Sequence, residues 1–315
     1  LAAIAMASIL FPVSIAGASV ALPNIAADLH AGLTSAQWVV NGYDLTFAAF
    51  MLAAGSLADV IGRRRMFVIG TAVFGGASLI CALSPTILVL DLARAVAGIG
   101  AAAALTSGSA SLAHVFDGPA RARAFGVFGT AVGCGLAFGP TICGVLDSNF
   151  GWRSVFVMPA VVGLFVAAAS MVVVPESRNP QGGRVDIVGT VTFTGALFAV
   201  ILGLLEGPQT GWGSTLVLTC FVLAALLMIA FLVVEKRQAA PMFDLSLLAQ
   251  RRFASLCLAV VALVFAFTPL LVYLPSYYIA VDGLSAQGVG LKLMMLTVPT
   301  LILPMITGYL ARWIS

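Results

Sequence analysis

The sequence predicts an all-α protein that crosses a membrane many times, and three observations carry the prediction. Charged residues make up only 9% of the 315 residues, against 61% hydrophobic ones, whereas a soluble domain needs about 25% charged residues to cover its surface. The apolar residues lie in long unbroken runs of about 20, the length that crosses a bilayer core as a helix. Lysine and arginine collect on one side of those runs, as they do in cytoplasmic loops. Membrane-spanning β-strands would alternate over short segments, and these runs do not, so the backbone must satisfy itself as helices.

Taken in order, apolar runs between charged or Gly/Pro-rich breaks place ten helices at about 1–22, 37–57, 67–84, 86–112, 123–146, 154–174, 187–206, 214–234, 253–279 and 287–310. Twelve of the fifteen basic residues fall on one side: Arg63, Arg64, Arg65, Arg121, Arg123, Arg178, Arg184, Lys236, Arg237, Arg251, Arg252 and Arg312. The opposite loops hold only Arg153, while Arg94 and Lys292 lie inside apolar runs. This bias predicts that the loops after spans two, four, six and eight, and the N-terminus, are cytoplasmic. The expected location is a bacterial cytoplasmic membrane. The chain opens at Leu1 inside an apolar run, which reads as a fragment and not as a cleavable signal peptide.

Several function classes find no support. The five cysteines (Cys81, Cys134, Cys143, Cys220, Cys257) sit in apolar runs without metal-ligand spacing, so neither a disulfide framework nor a metal site is expected. No Gly-rich loop ending in Lys-Ser/Thr is present to hold a nucleotide. No nucleophile–base arrangement appears and the loops are too short for a catalytic domain, so no enzyme, cofactor or nucleic-acid partner is predicted. The longest loop, 235–252, is basic and amphipathic and reads as an interfacial linker.

Two distant stretches resemble each other. Gly32-Leu-Thr-Ser-Ala-Gln37 precedes span two, and Gly283-Leu-Ser-Ala-Gln287 precedes span ten. Gly55-Ser-Leu-Ala-Asp-Val-Ile-Gly62 follows the one, and Gly308-Tyr-Leu-Ala-Arg-Trp-Ile-Ser315 the other. Chance similarity between small-residue segments is one account. Duplication is the other, since transporters are commonly built from two related halves. Duplication divides the chain into a six-helix half at 1–174, an inserted helix pair with its linkers at 175–252, and the first two helices of a second half at 253–315.

Three motifs then resemble the major facilitator superfamily, specifically its fourteen-span drug:proton antiporter branch, over essentially the whole chain. Gly55-Ser-Leu-Ala-Asp59-Val-Ile-Gly62-Arg63-Arg64-Arg65 is similar to the loop motif between helices two and three. Its glycines permit a tight reversal, its arginines hold the cytoplasmic face, and Asp59 can meet a helix N-terminus or Arg63. The resemblance implies a loop that latches the two halves in one state of the cycle. Gly135-Leu-Ala-Phe-Gly139-Pro140-Thr-Ile-Cys143-Gly144 is similar to the span-five motif that marks exporters, with Cys143 where glycine is usual. A Gly-rich packing face explains the same residues and is compatible with that role. Arg94-Ala-Val-Ala97-Gly98-Ile-Gly100 resembles the membrane-embedded arginine motif linked to proton transfer, with Ala97 where glutamine is common. Span one, Ser14 to Pro23, resembles the first-helix signature, but Ser14 replaces the usual aspartate and Ser19 the usual asparagine. The implied fold is that of the superfamily, with ten of fourteen helices present.

The missing first-helix acid leaves Asp44 as the intramembrane carboxylate to consider, with Arg94 at similar depth. An ionisable residue inside a membrane is costly and points to function, so Asp44 and Arg94 are expected to face one cavity and couple to protons. In the competing reading Asp91 pairs with Arg94 along the same helix. Trp38, Tyr43, Trp152 and Trp212 are expected in aromatic belts. Glu206 and Lys292 are expected to snorkel, and His30 and His114 to be solvated. Phe125, Phe128 and Phe138 line an apolar pocket or pack against lipid.

The function predicted is proton-coupled export of small lipophilic molecules by alternating access, by a monomer whose partners are substrate, protons and lipid. The alternatives are a metabolite transporter on the same fold, a non-transporting sensor, and a passive channel.

Overall fold

In a computed structural model of the chain, the residues described are 1–177, 186–238 and 246–282, with the isolated positions 292 and 299. All the regular structure among them is helical. The helices are α1 (Ala2–Asp28), α2 (Leu33–Ile61), α3 (Arg63–Leu83), α4 (Ile87–Val115), α5 (Gly118–Phe150), α6 (Arg153–Val173), α7 (Ile187–Thr210), α8 (Thr215–Arg237), the four-residue α9 (Ser246–Ala249) and α10 (Arg251–Ala280). Eight of these, α1 to α8, are long and apolar enough to cross a bilayer, and α10 matches the ninth expected span. The tenth span and the second copy of the repeat lie outside the described residues.

Several helices overrun the runs that announced them. Expected to end at residue 22, α1 continues through Pro23 to Asp28. Proline forfeits one backbone hydrogen bond, whereas ending a helix at that depth exposes several, so continuation costs less. Similarly α5 begins at Gly118, because Arg121 and Arg123 read as loop charges but ride on a helical extension. Side-chain caps mark three starts: Thr86 on α4, Asp186 on α7 and Ser214 on α8 each accept from a backbone N–H three residues on.

Packing is extensive between α3 and α4, α2 and α4, α1 and α5, α3 and α6, and α7 and α8. Water contributes no driving force between helices inside lipid, so close approach through small residues holds such a bundle. A Cβ at Gly70 would lie 2.5 Å from Ala104 N and 2.8 Å from Gly100 O, so α3 and α4 meet backbone to backbone. At the α2–α4 crossing a Cβ on Gly98 would collide with Thr46 Oγ1 and Tyr43 O. Meanwhile α7, paired with α8, also packs on α2, and Gln209 Nε2 donates to Gln37 Oε1 at 3.3 Å. Leu216, Leu218, Leu223, Leu226 and Ile229 of α8 remain exposed, as lipid-facing residues should.

Replacing Gly70 with leucine is expected to overpack the α3–α4 seam and destabilise the protein by about 1–3 kcal/mol or more. Gly76→Ala on the same helix, where a Cβ meets nothing within 4 Å, should be neutral or slightly stabilising. Thermal unfolding of the detergent-purified full-length protein, comparing the two variants, measures the contrast.

Candidate functional site

Three places gather the residues singled out in the sequence. At the α2–α3 end, Gly62 alone separates two helices, and its φ of 115° lies in the region that favours glycine. Arg63 Nη2 and Nε donate to Asp59 Oδ1 at 2.8 and 3.1 Å. The reversal rests on Gly62 and not on Gly55, which sits inside α2 where an added Cβ would meet nothing within 4 Å. Glu176, just past α6, completes the loop and was not singled out in the sequence. Its Oε1 accepts from Arg64 N at 3.2 Å, its Oε2 lies 3.6 Å from Arg64 Nε and 3.8 Å from Arg65 Nε, and Arg63 N donates to Ser177 O at 2.9 Å. Its only sequence signal was a lone acid beyond an apolar run, opposite three arginines.

The second place is the seam of α1 and α5. A Cβ on Gly135 would lie 2.5 Å from Ile9 O, one on Gly139 3.2 Å from Val13 Cα, and one on Gly144 3.8 Å from Val20 Cγ1. The glycines face α1, while Pro140 lies exposed on the other side of an unbroken helix. Cys143 is fully buried, and a Cβ on Gly17 would lie 2.7 Å from its Sγ and 2.6 Å from Val155 Cγ1. Gly17 of α1 therefore makes the room that Cys143 takes up on α5. Phe138 and Phe125 are exposed, and Phe128 packs against the core.

The third is Arg94, only 1% exposed at the junction of α1, α2 and α4. Its Nε donates to Val39 O at 2.7 Å and its Nη1 to Ser14 Oγ at 2.8 Å. Its Cζ lies 4.1 Å from the centroid of the Tyr43 ring and 5.9 Å from that of Phe156. Charge-assisted hydrogen bonds contribute about 1.5–3 kcal/mol each, and a desolvated cation–π contact about 2 kcal/mol. Thr46 Oγ1 donates to Ala95 O at 2.8 Å and fixes the α2–α4 register, so Asp44 lies at the depth of Arg94. The two do not share a face. Tyr43 and Thr46 turn toward α4, and at 3.6 residues per turn Asp44 projects from the far side of α2, where it is half-buried. Neither anticipated partner, Asp44 or Asp91, forms an ion pair with Arg94 among the described residues. Asp91 Oδ1, Tyr43 Oη and Arg94 Nη2 are buried without a hydrogen-bond partner among the described residues.

The aromatic-belt expectation is corrected at two residues. Tyr43 is fully buried beneath Arg94, and Trp152, 5% exposed, donates from Nε1 to Asp28 Oδ2 at 3.0 Å. Trp212 is exposed as expected. Arg153, the lone basic residue of the opposite loops, is neutralised by Asp28 at 2.7 Å. His30 and His114 are exposed, and Lys292 pairs with Asp282 at 3.2 Å. Among the described residues no group of three or more metal-ligating side chains occurs.

With this geometry in place, comparison with known proteins decides the family: the Major Facilitator Superfamily pattern matches residues 4–315. The chain belongs to the major facilitator superfamily. It is 33% identical over 293 residues to the multidrug resistance protein Stp of Mycobacterium tuberculosis, covering 93% of this chain and 55% of that protein. It is 34% identical over 245 residues to a probable actinorhodin transporter of Streptomyces coelicolor, covering 75% of this chain and 42% of that one. The chain thus spans about half the length of the curated relatives it matches. A crystal structure of a peptide transporter in complex with sulfate superposes with a TM-score of 0.63 at 15% identity, covering 99% of this chain and 68% of that one. That likeness concerns the fold. A superfamily chain with these apolar helices is a multi-pass membrane protein.

Gly17→Ala is expected to cost about 1–3 kcal/mol by overpacking. In a Cys143→Gly background the cost should shrink, with a coupling energy of about 0.5 kcal/mol or more in a double-mutant cycle read by thermal unfolding. Zero coupling would assign the whole clash to Val155.

Proposed function

We propose that the full-length protein exports small lipophilic molecules from a bacterial cytoplasm by proton-coupled alternating access. The observation that carries the direction of transport is the α1–α5 seam, where Gly135 and Gly139 of the exporter-like motif meet α1 at backbone distance. The printed names of relatives support it: one is a multidrug resistance protein, and another, from Streptomyces glaucescens, is a tetracenomycin C resistance and export protein. The protein sits in the cytoplasmic membrane with its N-terminus inside, as the arginine bias argues, and works as a monomer.

Residues 1–174 form the first six-helix half, 175–252 carry the inserted pair, and 253–315 begin the second half of a fourteen-helix transporter. The Asp59–Arg63–Glu176 loop supports the latch between halves. It fixes the inner ends of α2, α3 and α6 together and presents a preformed surface to the second half. Asp44 carries the coupling proton, and Arg94 is the fixed positive charge at the same depth on the other side of α2. Being half-buried on the side of α2 away from α4 gives Asp44 access that Arg94 lacks. Among the described residues no carboxylate forms an ion pair with Arg94, so Asp44 is not held in a salt bridge and stays available to a proton.

In cells stripped of their own exporters, the full-length gene should lower retention of a fluorescent lipophilic cation, and a protonophore should abolish the effect. Asp44→Asn should remove the protonophore-sensitive component while leaving substrate binding within about twofold, since an isosteric change removes the titration and little else. Proton-driven efflux that survives Asp44→Asn would sink the assignment of Asp44. Unchanged retention with the native gene would favour a narrow metabolite substrate instead.

A further inference from the structure

We propose that the junction of α1, α2 and α4 binds a small monovalent anion of chloride size as the counter-charge of Arg94. Three buried side chains from three helices meet there: Ser14 at 2%, Tyr43 at 0% and Arg94 at 1% exposure. The guanidinium stays protonated under all ordinary conditions, and a buried charge is costly unless an opposite charge or a full set of hydrogen bonds meets it. Its two bonded nitrogens reach only neutral acceptors, Val39 O and Ser14 Oγ. Its third nitrogen, Nη2, and the Tyr43 hydroxyl have no hydrogen-bond partner among the described residues, although the tyrosine ring lies 4.1 Å beneath the guanidinium.

The chemistry of the set is one-sided. Arg94 Nη2 can only donate. Ser14 Oγ already accepts from Arg94, so its own proton remains to be given, and the Tyr43 hydroxyl can give one as well. A cation finds nothing here to bind it. A water molecule would satisfy the donors but leave the charge uncompensated. A small anion accepts from all three groups and neutralises the arginine. Of the acids on these three helices, Asp28 pairs with Arg153 and Asp59 with Arg63, and among the described residues neither Asp44 nor Asp91 pairs with Arg94, so the anion displaces no protein carboxylate.

The test is the thermal stability of the purified full-length protein in chloride against gluconate at constant ionic strength. Because the readout is folding, its outcome is independent of whether the protein exports anything. Chloride should raise Tm saturably, by about 4 °C. Ser14→Asp places a carboxylate where Oγ stands 2.8 Å from Arg94 Nη1, and should remove the chloride response while leaving Tm in gluconate at or above the native value. If Ser14→Asp does not fold, Tyr43→Phe decides: losing one donor should weaken the apparent chloride affinity about tenfold. Equal Tm in both salts for the native protein overturns the proposal. So does a chloride response that persists in Ser14→Asp, or, where that variant does not fold, an undiminished one in Tyr43→Phe.

Discussion

Burying one guanidinium among three helices is the constraint around which α1, α2 and α4 are arranged. Arg94 belongs to α4, but its contacts are Ser14 on α1 and the Val39 carbonyl and Tyr43 ring on α2. A charge at that depth tolerates little play, because each lost contact leaves it facing hydrocarbon. The position of α2 against α4 is correspondingly exact: Thr46 reaches the Ala95 carbonyl, and Gly98 leaves no space for a side chain. The same geometry places two ionisable side chains of opposite charge at one depth in different surroundings. Arg94 is sealed in the packing, whereas Asp44, one residue after the aromatic ring that covers the arginine, faces the other side of the helix.

Elsewhere the bundle depends on missing side chains. Gly70 and Gly100 bring α3 and α4 together, Gly75 and Gly163 do so for α3 and α6, and Gly135 for α1 and α5. Such seams derive their stability from dispersion at short range and are unforgiving of added atoms. The pairing of Gly17 with Cys143 shows how one departure is accommodated. A thiol occupies space on α5, and the facing position on α1 carries no Cβ.

What the sequence disclosed follows from the range of the forces involved. Burial of the backbone in lipid is a local requirement, so the apolar runs located α1 to α8 and α10. Helix ends were less legible, because Pro23 and the arginines of α5 look like terminators to local rules that the bilayer overrides. Motifs located the loop at Gly62, the glycines of α5 and the arginine of α4. They did not disclose partners, since a partner is a tertiary fact. Glu176 lies 112 residues from the Arg64 amide it accepts from. Ser14, noted for the acid it replaces, is the side chain that accepts from the arginine, alongside the Val39 carbonyl. Trp152 and Tyr43 had interfacial positions along the chain, but their orientation depended on Asp28 and Arg94, which sequence spacing does not report.

The two ends of the bundle carry ties of different kinds. At one end a single residue joins α2 to α3, and the Arg63 amide is bonded to the Ser177 carbonyl beyond α6. At the opposite end Asp28 of α1 holds Trp152 and Arg153 at the start of α6. A girder pinned at both ends resists splaying, so a torque applied at one face reaches the other with little lost to internal bending. Both ties meet on α6, whose 21 residues span about 30 Å between them.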